Sequence, residues 1–328
     1  MRRRPFVFVT RDLPGDALSR LAGMTEMRLW QGDGAPPPEA LREAAREVEG
    51  LLCLLTDRID IALLDACPQL RVVSSCSVGL DHVDLGEATR RGIPVGHTPG
   101  VLTETTAEFA FALLLAAARR VPEADRFVRD GGWTPARSWE PDLLLGRDLH
   151  GASLGIVGLG AVGRAVARRA SGFDMRVRGW SRSPGEVPGV ERITLPDLLS
   201  RSDFLSIHVA LSPETRGLIG ADEIARMPRG AILVNTARGG IVDEAALTAA
   251  LESGQLGAAA LDVFESEPLP AASPLRRAPN LILAPHIGSA SIATRSRMAE
   301  LAVENLLAGL RGAPMPACAN PEVGAAAG

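Results

Sequence analysis

Between Leu154 and Ala170 the chain reads LGIVGLGAVGRAVARRA, an order that few backbones accommodate. A short apolar strand pattern (Leu154, Ile156, Val157) runs into Gly158-Leu159-Gly160-Ala161-Val162-Gly163, and a helical pattern follows directly. Gly158 permits a tight turn out of the strand. Gly160 lets backbone approach a pyrophosphate, and Gly163 lets the helix pack closely on the strand. The first helical turn then presents unpaired N–H groups and the positive end of its dipole to an anion. Strand, glycine loop and helix in this order predict a parallel α/β unit that binds a dinucleotide.

The acidic residue that would hold the ribose 2′-hydroxyl of NAD about twenty positions further on is missing. The next strand pattern, Met175–Trp180, ends instead in Ser181-Arg182-Ser183. A carboxylate there would repel a 2′-phosphate, whereas a hydroxyl and a guanidinium would bind one. The segment therefore favours NADP(H), with NAD(H) kept open by Glu186 close by.

Composition excludes several chemistries. All 35 Lys-plus-Arg positions are arginine, and there is no tyrosine. Without lysine there is no Walker A motif, no pyridoxal Schiff base and no lysine aldolase. The Tyr-Lys pair of short-chain dehydrogenases is excluded as well. A net charge of −4 gives no reason to invoke nucleic acid or an anionic membrane. Cys53, Cys67, Cys76 and Cys318 show no metal-ligand spacing and read as thiols in a reducing compartment. The apolar stretch Pro5–Val9 is too short for a signal peptide, and the run Phe109–Ala118 falls short of a membrane span. These features predict a soluble, cytoplasmic protein without a metal.

The 328 residues suffice for two domains. Before residue 100, strand patterns at Phe6–Thr10, Met27–Trp30, Gly50–Leu55, Arg71–Ser75 and Pro94–Gly96 alternate with helical ones at Gly15–Leu21, Pro38–Glu47 and Ile61–Ala66. Glu104–Arg120 reads as a strong helix, and Pro122–Leu149 reads mostly as loop. Six further strands are expected at Ala152–Val157, Arg176–Trp180, Phe204–Val209, Ala231–Asn235, Ala258–Leu261 and Leu281–Ala284. Ser289–Leu310 reads as one amphipathic helix packing back on the first domain, and residues past Ala313 as a loose end. The predicted architecture is two doubly wound, Rossmann-like parallel sheets. A dinucleotide domain (100–287) is inserted into a substrate domain (1–99 and 288–328).

Ligands of doubly wound sheets sit beyond the carboxyl ends of the strands. Three titratable or charged residues fall there: Arg238 in VNTARGGIVD, Glu267 in ALDVFESEP and His286 in LAPHIGS. Reducing a 2-oxo acid requires a cation for the carboxylate, an acid for the carbonyl oxygen and a carboxylate that orients and charges the acid. Arginine, histidine and glutamate are the residue types that fill those roles.

The segments VGLDHVDL (78–85), TETTAEFAFALLL (103–115), GLGAVG (158–163), HVALSPETRGLI (208–219), LVNTARGGIVDEAAL (233–247), ALDVFESEP (260–268) and APHIGSAS (284–291) span most of the chain. Together they resemble the signature blocks of the D-isomer-specific 2-hydroxyacid dehydrogenases. The C-terminal stretch 286–316 is similar to that of glyoxylate/hydroxypyruvate reductases. The resemblance implies Arg238 as substrate clamp, His286 as acid/base and Glu267 as its partner. It implies backbone N–H groups at Val78 and Gly79 for the substrate carboxylate, with Ser289 beside the substrate. For the cofactor it implies Thr106, Ala161, Val162, Gly163, Ser181, Arg182, Ser183, Ala210, Thr236, Asp262 and Gly288, beside Gly158 and Gly160. His82 and His208 read as structural. Trp139 resembles a tryptophan that such reductases send across a homodimer interface into the partner's site; local packing is the plainer alternative. Other D-2-hydroxyacid dehydrogenases, a phosphite-type dehydrogenase and a nucleotide-sensing corepressor stay open as alternatives. Glu267 argues against a formate enzyme, in which glutamine pairs with the histidine.

Overall fold

The computed structural model describes residues 3–183 and 185–325. The chain begins with β1 (Phe6–Val9), α1 (Ala17–Met24), β2 (Glu26–Leu29), α2 (Pro38–Ala45), β3 (Gly50–Cys53), α3 (Ile61–Ala66), β4 (Val72–Ser75), α4 (Leu85–Arg90) and β5 (Val95–Gly96). It continues through α5 (Thr103–Ala118), α6 (Val121–Arg129), β6 (Ser153–Val157), α7 (Ala161–Ala170), β7 (Arg176–Trp180), β8 (Glu191–Arg192), α8 (Leu195–Ser200) and β9 (Phe204–Ile207). Then come α9 (Ala221–Arg226), β10 (Ala231–Asn235), α10 (Glu244–Glu252), β11 (Leu256–Leu261), β12 (Leu281–Leu283), α11 (Ile292–Leu310) and α12 (Glu322–Ala325). Two compact units result: Met1–Leu102 with Ala290–Gly328, and Thr103–Ser289.

The first unit holds a five-stranded parallel sheet in the order β2-β1-β3-β4-β5. Its strands sort their side chains with period two. Val7, Val9, Leu52 and Val72 face Leu18 and Leu21 of α1 and Met298, Ala302 and Leu306 of α11. Phe8, Leu51, Cys53 and Val73 face Leu41 of α2 and Leu63 and Leu64 of α3. Helices on both faces explain why β3 and β4 are buried at every position. Asp60 and Asp84 cap α3 and α4 by accepting from the N–H groups of Leu63 and Glu87.

The segment past Ala313 is not a loose end. The N–H of His97 donates to the Ala317 carbonyl, and that of Ala319 to Val95. Asn320 is buried, and its Oδ1 accepts from the Val95 N–H at 2.8 Å. These bonds extend the β5 edge, and only residues 326–328 of this segment lie outside the described residues.

The second unit holds seven parallel strands in the order β12-β11-β10-β9-β6-β7-β8. The seventh, β8, is a two-residue edge strand that adds to the six expected. Leu154, Ile156, Phe204, Ile232 and Val234 pack under Ala107, Ala110 and Leu114 of α5 and Val166 and Ala170 of α7. Leu205, Ile207, Leu233 and Leu261 pack under Leu198, Ile224, Leu247 and Leu251 on the opposite face. Each such fully buried aliphatic side chain contributes about 1.5–3 kcal/mol. The stretch read as loop opens with helix α6, which has Pro122 in its first turn and buries no residue. After it, 130–149 is irregular apart from the 3-10 turn Pro135–Arg137. Among the described residues, no helix is long and apolar enough to cross a membrane.

Candidate active site

The carboxyl ends of β6, β7, β9, β10, β11 and β12 converge on one edge of the second sheet. Gly158, directly after β6, has φ +103°, and a Cβ there would lie 2.5 Å from the His208 carbonyl oxygen. A Cβ on Gly163 would lie 1.9 Å from the Gly158 carbonyl oxygen. Both positions require glycine for packing. Gly160 differs, because its Cβ would meet nothing within 4 Å. It caps α7 without any side-chain hydrogen bond, so no side chain satisfies the N–H groups of the first turn, at Ala161, Val162 and Gly163.

After β7 the turn Ser181-Arg182-Ser183 is held from below. Arg192 on β8 donates to the carbonyl oxygens of Ser181 (3.1 Å), Ser183 (2.9 Å) and Gly185 (2.5 Å). The Ser181 hydroxyl also donates to the Ser183 carbonyl at 2.9 Å. Arg192 went unread in the sequence, because nothing in its spacing ties it to the turn. Ala210, beyond β9, accepts at its carbonyl from the Thr215 hydroxyl at 2.7 Å.

After β10, buried Asn235 staples the loop that carries Arg238. Its Oδ1 accepts from the Ala237 N–H (3.0 Å), and its Nδ2 donates to the Arg238 carbonyl (2.9 Å). The half-buried Arg238 guanidinium donates from Nη1 to the Ala237 carbonyl at 2.8 Å. A Cβ on Gly239 would lie 1.8 Å from the Phe264 carbonyl oxygen. That glycine lets the Arg238 loop touch the loop after β11, which carries Glu267. Thr236, one residue past the strand, is buried with a hydroxyl that has no hydrogen-bond partner among the described residues.

Glu267 and His286 meet. Oε2 of Glu267 lies 2.7 Å from His286 Nδ1, and Oε1 accepts from the Phe264 N–H at 3.0 Å. Burial opposes ionisation of Glu267. The His286 hydrogen bond and charge, the Phe264 N–H and the Arg238 charge outweigh that, so the carboxyl lies below the usual glutamate range. His286 has φ +56°, a left-handed conformation uncommon for a residue with a Cβ. Asp262 holds it there. Its carbonyl accepts from the His286 N–H (2.9 Å), and its carboxylate accepts from the Ile287 and Gly288 N–H groups, both at 2.7 Å. Burial pushes the Asp262 carboxyl up, against the effect of those two bonds. A Cβ on Gly288 would lie 3.1 Å from Asp262 Oδ2 and 3.4 Å from Thr106 Cγ2, so these three residues are neighbours.

Two other histidines bond to serines. His208 Nε2 lies 2.7 Å from Ser206 Oγ, and burial pushes its imidazole down to about 4, leaving it neutral at pH 7. His82 Nε2 lies 3.0 Å from Ser75 Oγ.

Known proteins resemble this chain over nearly its whole length. Residues 111–288 match the family model described as D-isomer specific 2-hydroxyacid dehydrogenase, NAD binding domain. A glyoxylate reductase of Korarchaeum cryptofilum is 50% identical over 324 residues, covering 98% of this chain and 97% of its own. The chain belongs to the D-isomer specific 2-hydroxyacid dehydrogenases. A crystal structure from Thermus thermophilus superposes with a TM-score of 0.91 at 48% identity, covering 96% of this chain and 99% of that one. The NADPH-dependent glyoxylate/hydroxypyruvate reductase of Sinorhizobium meliloti, in complex with NADP and malonate, superposes at 0.86 with 34% identity, covering 96% of each chain.

This dehydrogenase is an oxidoreductase with a nicotinamide-dinucleotide-binding domain. The open space over Gly160, the uncapped start of α7 and the orphaned Thr236 hydroxyl fit such a group. Val78 and Gly79 lie in the first unit, just past β4. The Ser77 hydroxyl donates to the Gly79 carbonyl at 2.8 Å, and the Val78 carbonyl faces His97 Nδ1 at 3.2 Å. Neither of their N–H groups donates to another described residue, which leaves two adjacent donors for an anion. Ser289 is the last, half-buried residue of the second unit. Trp139 is 82% exposed, so local packing does not account for it.

Proposed function

We propose that this dehydrogenase reduces glyoxylate and hydroxypyruvate with NADPH, giving glycolate and D-glycerate. The observation that carries the reading is the 2.7 Å contact between Glu267 Oε2 and His286 Nδ1, close to the charge of Arg238. Engaging Nδ1 leaves Nε2 as the nitrogen from which a proton leaves. Bound NADPH supplies a hydride to the carbonyl carbon of the substrate. His286 then delivers the Nε2 proton to the carbonyl oxygen, and Glu267 stabilises the imidazolium before the transfer. Arg238 binds the carboxylate and polarises the carbonyl. In the first unit, the Val78 and Gly79 N–H groups serve as anion donors. Ser289 borders the substrate.

Gly158, Gly160 and the α7 N-terminus hold the pyrophosphate. Arg182, with Ser181 and Ser183, takes the 2′-phosphate. Thr106, Ala210, Thr236, Asp262 and Gly288 line the rest of the cofactor site. The unit of 1–102 and 290–328 is the substrate domain, close to the 1–99 and 288–328 expected, and 103–289 is the cofactor domain, in a cytoplasmic enzyme. The named reductases among its relatives favour oxo-acid reduction over the phosphite-type and corepressor-like readings.

The enzyme works as a homodimer in which Trp139 borders the partner's site. The individual exposure of Val121, Val128, Trp133, Trp139 and Leu145, all within 121–145, supports this, since a subunit contact would cover such side chains. A substrate panel tests the function: glyoxylate, hydroxypyruvate and pyruvate with NADPH, and phosphite with NADP, all followed at the nicotinamide absorbance. Rapid oxidation of NADPH by the first two is expected. Turnover of phosphite alone would replace the reading.

A further inference from the structure

The loops after β7 and β9 flank the glycine turn after β6, because β6 lies between those two strands in the sheet. Across that turn, Arg182 Nη1 faces Glu214 Oε2 at 3.4 Å. The carboxylate does not reach there by chance orientation. The Ser212 hydroxyl donates to the same Oε2 at 2.6 Å. The loop itself is fixed by buried Thr215, whose Oγ1 accepts from the Ser212 N–H at 2.8 Å and donates to the Ala210 carbonyl at 2.7 Å. On the other side, Arg192 ties down the turn that carries Arg182. A placed cation therefore faces a placed anion at the carboxyl end of the sheet, where a dinucleotide binds.

We propose that Glu214 is a specificity-determining residue that competes with the 2′-phosphate of NADPH for Arg182 and so limits the preference for NADPH over NADH. The proposal rests on the reading of Ser181–Ser183 as the 2′-phosphate site. A phosphate reaching Arg182 must displace Glu214 or approach it as a like charge, and both reduce affinity. A ribose 2′-hydroxyl meets neither cost. The Ser212 hydroxyl, with smaller help from Arg182, holds the Glu214 carboxyl below the usual range, so it is charged at neutral pH. Both side chains are more than half exposed, 58% for Arg182 and 65% for Glu214. The effect is therefore modest and salt-dependent, as for other exposed ion pairs.

The experiment is a double-mutant cycle read by calorimetry, with 2′,5′-ADP and 5′-ADP as probes binding to the full-length protein. The readout is the ratio of the two Kd values in the parent, Glu214→Gln, Arg182→Gln and the double variant. Glu214→Gln is expected to shift the ratio about two- to fivefold toward 2′,5′-ADP at low salt, the size that exposed pairs reach. The shift should shrink in high salt and be clearly diminished when Arg182 is already glutamine. An unchanged ratio, or a shift toward 5′-ADP, would overturn the role of Glu214 while a loss of 2′,5′-ADP binding in Arg182→Gln keeps the phosphate site. A Glu214→Gln shift that persists undiminished in the Arg182→Gln background would refute competition for Arg182. If Arg182→Gln leaves the ratio unchanged, the 2′-phosphate reading itself fails.

Discussion

Asp262 touches no reacting atom in the proposed mechanism, yet its removal should be among the most damaging single changes near the site. Asp262→Ala deletes two charge-assisted hydrogen bonds, to the Ile287 and Gly288 N–H groups, both 2.7 Å long. Bonds to a charged group contribute about 1.5–3 kcal/mol each, so the gross loss is about 3–6 kcal/mol. The raised carboxyl shows that burying this charge has its own cost, which the alanine recovers. A net destabilisation of about 2–4 kcal/mol follows. For a unit of this size that lowers Tm by about 4–16 °C. The functional loss should be separate and larger. His286 sits at φ +56°, a conformation that costs about 1–3 kcal/mol unless its surroundings impose it. Without the clamp on residues 287 and 288, the imidazole is free to leave its position beside Glu267. Misplacement by about 1 Å can cost about 10²-fold in rate. Urea denaturation and steady-state kinetics on Asp262→Ala check both parts, with Asp262→Asn, which keeps one acceptor, falling between. A variant within about 0.5 kcal/mol of the parent and with parental kcat would refute the reasoning.

Three further outcomes follow from the same geometry. Gly160→Ala should keep Tm, because its Cβ meets nothing, but should weaken NADPH binding by occupying the pyrophosphate approach, whereas Gly163→Ala should lose stability through contact with Gly158; thermal melts with and without NADPH distinguish them. The Glu267 carboxyl is held below its usual value, so its stabilising contribution is complete above about pH 4.3 and is lost as pH falls through the folded value. Glu267→Gln should flatten the acid limb of the stability profile, measured by pH-dependent melts. Arg238→Lys should cost about 2–3 kcal/mol of kcat/KM for glyoxylate, since an ammonium cannot reproduce bidentate carboxylate binding.

The parts legible in the sequence were those written by short-range rules. The strand, glycine turn and helix from Ser153 to Ala170 follow from backbone sterics at Gly158 and Gly163. Helices α5 and α11 follow from long apolar patterns that bury against sheets. Helix α6 escaped because Pro122 reads as a breaker, although proline in a first turn favours helix, and because none of its side chains is buried. Edge strand β8 has two exposed residues and no apolar signal. The tail past Ala313 docks through Asn320, a buried polar contact that hydropathy cannot reveal. Around the site, Arg238, Glu267 and His286 are legible one by one at strand ends. Their meeting depends on Gly239 lying against Phe264, and their support on Asn235, which only three-dimensional packing discloses.

The most direct test of the central claim is kcat/KM for glyoxylate with NADPH in the parent and in His286→Ala, with NADPH binding followed in both by nicotinamide fluorescence. Reduction by the parent, a fall of about 10²–10⁴-fold in His286→Ala and near-parental NADPH binding in the variant are expected. A His286→Ala enzyme that reduces glyoxylate at the parental kcat/KM would contradict that claim.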